Sequence, residues 1–174
     1  WVLNGVKQFI TSGRNGDIAI VFAVSSPGGG KKGISAFIVP TATPGYVVTH
    51  IEEKMGQHAS DTAQISFENC RIPAENLLGA EGRGFSLGQR WLTAGRVRGH
   101  GARCVGVAQR ALDIVIAHAR SEESQRSPSS EREANELFVA RAAMDIEACR
   151  LIVHRTAWLG DQGRDIRDAS YMAK

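Results

Sequence analysis

This 174-residue sequence has few of the features that mark metal, disulfide or membrane proteins. Its three cysteines, Cys70, Cys104 and Cys149, are odd in number and form no Cys-x-x-Cys pair. That argues against a disulfide framework and a thiolate metal site, and all three read as reduced core thiols of an intracellular protein. The five histidines, His50, His58, His100, His118 and His154, show no metal-binding spacing. No Ser-His-Asp arrangement follows from spacing. No apolar run approaches the roughly 18 residues of a membrane span. The net charge of +3 is scattered over both halves. Arg90, Arg96, Arg98 and Arg103 alternate with glycine and apolar residues, the pattern of a packed helix and not of a nucleic-acid groove. There is no internal repeat. Trp1-Val2-Leu3 has neither an initiator Met nor the charged start of a signal peptide. Trp1 reads as the inside of a strand, so a preceding segment is expected.

What is present is an ordinary globular composition, 43% hydrophobic and 22% charged, enough for one good core or two small ones. The first half has strand signals at short intervals. Trp1–Leu3 and Val6–Ile10 flank Asn4-Gly5, a dipeptide suited to a hairpin turn. Asp17–Val24 is nearly all apolar, as in a strand buried on both faces. Gly28–Lys32 reads as a hairpin tip, since it lacks phosphate-loop spacing and precedes a strand. Ile34–Val39 stops at Pro40. Tyr46–Ile51 follows, then Thr62–Phe67 with Ala63, Ile65 and Phe67 on one face.

From Gly84 the period becomes helical. Val105, Ala108, Leu112 and Val115 form one stripe. Pro128 interrupts, and Ser130 with Glu133 has capping-box spacing. A second helix to about Gly160 carries Leu137, Ala140, Met144, Ala148, Leu151 and Trp158 on one stripe, and Ile166–Lys174 starts a third. The expected fold is α+β. A small β-barrel or sandwich domain, residues 1–79, precedes antiparallel helices of an incomplete four-helix bundle, residues 80–174.

Two segments stand out. Lys7–Gly13 ends a strand with an aromatic, a hydroxyl and a glycine, able to face a flat cofactor. Gly84–Gly106 holds six glycines in a helical reading, each costing roughly 1 kcal/mol against Ala, so close backbone approach is expected there.

VLNGVKQFITSGRNGDIAIVFA, GISAFIVP, MGQHASDTAQISFENCRIPAENLLGAEGRGF and AGRVRGHGARCVGVAQRALD, in that order, resemble the acyl-CoA dehydrogenase family over nearly the whole chain. The resemblance implies most of the family's middle β domain, then the start of its C-terminal helical domain. It implies FAD, an acyl-CoA substrate of fatty-acid metabolism, and α,β-dehydrogenation to a trans-2-enoyl-CoA. It also implies an electron-transfer flavoprotein or similar acceptor, and a homodimer or homotetramer.

Phe9-Ile10-Thr11-Ser12 matches the flavin-edge motif, usually Trp-Ile-Thr-Asn, with Thr11 bonding the flavin ring and Phe9 and Ser12 replacing Trp and Asn. Thr93 and Arg96 fall where the first long helix meets the acyl-CoA. Some members carry their catalytic glutamate just before that arginine. Here the position is Gly95, which excludes that variant; the glutamate is otherwise expected from the family's last helices, outside this sequence, so no catalytic residue is assigned in this chain. The usual Arg-x-x-Phe-Gly, which contacts a neighbouring subunit's FAD, is replaced by Glu122-Glu123-Ser124-Gln125-Arg126, and a later Gln by Glu133. Arg120 or Arg126 substitutes only by a shift. The other reading is a non-catalytic truncated remnant, or a binding or assembly module. The expected compartment is the bacterial cytoplasm, with mitochondrion or peroxisome as alternatives.

Overall fold

The computed structural model describes residues 1–121, 126 and 128–174. Five strands come first: β1 (Val2–Thr11), β2 (Ile18–Val24), β3 (Ile34–Pro40), β4 (Tyr46–Ile51) and β5 (Thr62–Arg71). Helices follow: α1 (Gly84–Gly95), a π-helical segment (Arg96–Ala102), α2 (Arg103–Ala119), α3 (Ser129–Asp161) and α4 (Arg167–Ala173). The chain divides into two compact units, Trp1–Gly88 and Gln89–Lys174.

In the first unit all pairing is antiparallel. One sheet has the order β1-β5-β4 and the other pairs β2 with β3. The two sheets share one core. Leu3, Val21, Phe37, Val39, Ala63, Ile65, Phe67, Cys70 and Ile72 meet there. The alternation of Ala63, Ile65 and Phe67 is the inward face of β5, as its period of two requires. Burial pushes the Cys70 thiol above its ordinary pKa.

Asn4-Gly5 is not a hairpin turn. β1 runs straight through it, and the pair marks a bulge in the β1–β5 ladder. Between Leu3 and Gly5 the partner strand has an extra residue, and Asn69 takes a φ of 49°. The Asn4 side chain accepts the Asn69 N–H at 2.8 Å, and Gly5 adopts φ 134°. The chemistry that suits a tight turn suits a bulge equally well.

β2 is not buried on both faces. Ala19, Val21 and Ala23 face the core, while Ile18, Ile20 and Val24 are exposed. A strand needs a packed layer on either side to lose both faces to the interior, and the outer face of β2 is approached by α1 only at Phe22, where Gly88 meets the ring.

The second unit packs α2 against α3. Val105 of α2 meets Val153 of α3 in a small core with Val97 and Ala173. Arg150 Nη2 donates to Gln109 Oε1 at 2.7 Å. Farther along α2, Ile116 and Ala119 share a groove with Asn135 and Val139 of α3, so the two helices run antiparallel. The stripe foreseen for α2 is its packed side, with Val105 and Leu112 buried.

The α3 stripe is corrected. Leu137, Met144, Leu151 and Trp158 are exposed, while Ile146, Val153 and Thr156 face inward. Apolar residues surround this helix, so periodicity does not choose between its faces. The capping box is also absent. Pro128 is the N-cap, its carbonyl accepts the N–H groups of Glu131 and Arg132, and Ser130 lies inside the helix. Cys104 and Cys149 are exposed, so only Cys70 is a core thiol.

The glycine-rich stretch divides in two. A Cβ on Gly84 would meet the Ser35 and Ala36 backbone, and one on Gly88 the Phe22 ring. On Gly101 it would lie 2.5 Å from the Ala173 carbonyl and 2.9 Å from Val153. Gly95, Gly99 and Gly106 have nothing within 4 Å. Gly101→Ala should therefore destabilise the chain by about 1–3 kcal/mol through overpacking. Gly106→Ala, in open space on α2, should stabilise it by about 0.5–1 kcal/mol. Chemical denaturation of the two variants checks both signs.

Candidate functional site

The end of β1 is built against the intrinsic preference of its residues. Phe9 has φ 57° and Ser12 has φ 56°, both left-handed and neither glycine. Such conformations cost of order 1 kcal/mol each or more. At Phe9 the ladder to β5 slips between Lys7 and Ile10. The slip turns Ile10 inward onto the core and leaves the Phe9 ring 65% exposed. Thr11 is exposed beyond it, and its hydroxyl is not spent on any hydrogen bond among the described residues.

The turn after Thr11 is pinned from two distant segments. Ser12 N–H donates to the Asp61 carbonyl at 2.9 Å, and Arg14 N–H donates to Asp61 Oδ2 at 2.8 Å. The Tyr46 hydroxyl donates to the Gly13 carbonyl at 2.8 Å. Gly13 is buried, and a Cβ there would lie 2.8 Å from that of Ala63. The loop bearing Asp61 is itself tied by Lys54, which donates to the Ser60 carbonyl and to the Thr62 hydroxyl. Asp61 Oδ1 and Glu52 Oε1 are buried with no hydrogen-bond partner among the described residues.

Phe9, Ile10, Thr11 and Ser12 thus form one edge: an exposed ring, an anchor in the core, and two hydroxyl side chains. The edge offers an apolar surface and a donor or acceptor to a flat heterocycle. Asp61 and Tyr46, which hold it, were not anticipated. Their partners lie 47 and 33 residues away in sequence. The local signal was an acidic residue after Ser60 at the mouth of a strand, and it does not name a partner.

Thr93 and Arg96 belong to the second unit. The Thr93 hydroxyl donates to the Gln89 carbonyl at 2.9 Å, which leaves it an acceptor. Arg96 opens the π-helical segment, a rare helix form found mostly as short insertions in α-helices and frequently at functional sites. Its guanidinium carbon lies 4.6 Å from the centre of the Tyr171 ring. Glu122, Glu123, Ser124 and Gln125 lie outside the described residues. Among the described residues no group of three or more His, Cys, Asp or Glu is placed to hold a metal, and no helix is long and apolar enough to cross a membrane.

The family model for the acyl-CoA dehydrogenase middle domain matches residues 1–70, and the one for its C-terminal domain matches residues 82–174. The chain belongs to the acyl-CoA dehydrogenase family. Acryloyl-CoA reductase (NADH) of Anaerotignum propionicum is 37% identical over 174 residues, which are 100% of this chain and 44% of that protein. Mitochondrial short-chain specific acyl-CoA dehydrogenase of Rattus norvegicus is 38% identical over all of this chain and 42% of its own length. A solved chain described as the electron transferring flavoprotein of Acidaminococcus fermentans superposes with a TM-score of 0.88 at 39% identity. That match covers 99% of this chain and 45% of the other. The chain therefore spans less than half the length of these relatives. Acyl-CoA dehydrogenases are FAD-dependent oxidoreductases, and the antiparallel sheets followed by helices are their fold.

Burial, and then the charge of Asp61, hold the Tyr46 phenol above its ordinary 10.0. The folded chain favours the neutral phenol. The stability this supplies is complete below pH 10.0 and is lost as pH rises through the folded-state value. Tyr46→Phe should cost about 1 kcal/mol at neutral pH by leaving the Gly13 carbonyl without its donor. The gap to the parent should narrow above pH 10, as read by urea midpoints from pH 7 to 11. A gap that stays constant contradicts the assignment.

Proposed function

We propose that the chain carries the flavin-edge strand and the acyl-CoA-facing helix of an enzyme that oxidises acyl-CoA thioesters between Cα and Cβ. The observation that carries this reading is the edge at Phe9–Ser12. Strained backbone presents a ring and an uncommitted hydroxyl where the family's flavin motif falls. These residues fit FAD. Thr11 would donate to, or accept from, the heterocycle's polar edge, Phe9 would cover it and keep water away, and Ser12 would complete the edge. When bound, FAD would take up the β-hydrogen as hydride.

Thr93 and Arg96 would contact the acyl-CoA, Thr93 as an acceptor. Holding both reactants by fixed groups makes the two bond cleavages effectively intramolecular. No carboxylate of this chain is assigned to remove the α-proton. The electron acceptor would be an electron-transfer flavoprotein or a similar protein, and the assembly a homodimer or homotetramer.

The second reading is a non-catalytic truncated remnant, or a binding or assembly module. The apolar residues left exposed along α3, Leu137, Met144, Leu151 and Trp158, favour a chain that acts by packing against others.

The full-length gene product should carry flavin absorbance that bleaches when an acyl-CoA is added, and a colourless, unreactive product contradicts the first reading. The isolated 174-residue chain should not turn over acyl-CoA. Thr11→Val should weaken FAD binding about fivefold, the value of one hydrogen bond. Phe9→Gly should also weaken FAD binding, yet it should not lower the thermal midpoint, because it releases a left-handed backbone of order 1 kcal/mol and removes little buried surface. Equilibrium dialysis with FAD and calorimetric melting separate the two effects.

A further inference from the structure

Lys7 stands on the inward face of β1. Its partner across the ladder is Ile65, which is 1% exposed, and directly opposed residues share a face. With Ile10, Val21, Tyr46, Ile65 and Phe67 it lines an apolar cavity of about 250 Å³. An ammonium in such surroundings needs an acceptor. Lys7 Nζ donates to the Phe22 carbonyl of β2 at 2.8 Å. β1 and β2 belong to different sheets and share no ladder. Among the described residues this is the only hydrogen bond that joins them.

The bulge in β1 begins directly after Lys7. Between the Lys7–Ile65 and Ile10–Ala63 pairs, Gln8 and Phe9 stand opposite Gln64 alone. A bulge re-aims a side chain, and a strained one is relieved by sliding along its strand. Sliding turns every residue it passes to the other face. A move past Ile10 would take that side chain out of the core. A move past Lys7 would turn the ammonium outward and break its bond to Phe22. Lys7 and Ile10 therefore bracket the bulge that holds Phe9 at φ 57° with its ring exposed. Packing alone does not call for a lysine here, since an apolar side chain would line the cavity with no ammonium to desolvate.

We propose that Lys7 is a positioning residue for the flavin edge, its bond to the Phe22 carbonyl keeping the bulge at Gln8-Phe9 and so aiming Phe9 and Thr11 at the heterocycle of FAD. This rests on the FAD reading above. Lys7 acts through the edge and is assigned no contact with FAD.

The test uses the full-length gene product, stripped of flavin and titrated with FAD. Lys7→Met keeps an unbranched stem in the apolar cavity and removes the donor, so the thermal midpoint of the apoprotein should not fall. Its Kd for FAD should rise about fivefold, the value of one hydrogen bond. Lys7→Arg, which keeps a donor, should recover most of that loss. In a Phe9→Gly, Thr11→Val background the edge has neither ring nor hydroxyl to aim. There Lys7→Met should change Kd less than about twofold, because residues that act through one another are not additive.

A parent-like Kd in Lys7→Met overturns the proposal. So does a fivefold loss that persists in the Phe9→Gly, Thr11→Val background, or one that Lys7→Arg does not relieve. A Lys7→Met apoprotein that fails to fold or melts below the parent also overturns it, because the lysine then serves the fold and not the edge. A parent protein that binds no FAD overturns the flavin reading, and the proposal with it. One that binds FAD while Lys7→Met binds it equally well overturns the proposal alone.

Discussion

β5 is hydrogen-bonded along both edges, to β1 and to β4, while Ala63, Ile65 and Phe67 fill the core beneath it. A strand in that position cannot slip by one residue without turning three buried side chains out to solvent. Its register therefore sets the positions of both neighbours. At one end it fixes Asp61, the residue just before it, which holds Ser12 and Arg14. At the other it fixes the exit toward Leu77, whose bridge to Phe37 and whose neighbour's bond to Ala36 tie the chain to β3 before α1 begins.

Features whose cause is local were legible in the sequence. Tyr46–Ile51 has the same bounds in both readings, and the inward face of β5 is the one that alternation gives. Features needing a choice between equal local alternatives were not. Asn4-Gly5 serves a turn or a bulge, and only the pairing of Leu3 with Cys70 and Gly5 with Phe67 decides between them. α3 is apolar on more than one side, so its packed face follows from α2 and not from its own period. The candidate edge was legible as residues through family resemblance. Its support was not, because Asp61 and Tyr46 come from segments 47 and 33 residues away from their partners in sequence.

The two glycine classes show the same division. Gly84, Gly88 and Gly101 are explained by what lies against them, two facing strand residues and one facing a helix end. Gly95, Gly99 and Gly106 face open space among the described residues, and packing within the chain gives no account of them. Their cost to helix stability stands without a contact that offsets it.

Phe9 and Ser12 pose a related question of cost. Two non-glycine residues in left-handed backbone, three positions apart, weaken the strand that carries them. Folding alone does not need this, since glycine at either position would relieve the strain. The fold compensates instead: Asp61 takes two N–H groups, Tyr46 caps the Gly13 carbonyl, and Gly13 lets the turn settle onto Ala63. Each of these contacts serves to keep the turn where it is. What they hold in place is an exposed aromatic ring beside a free hydroxyl, an arrangement that adds little to the chain's own stability. Strain maintained by several independent contacts, around side chains that contribute little to packing, is the physical mark of a surface shaped for something other than the chain itself.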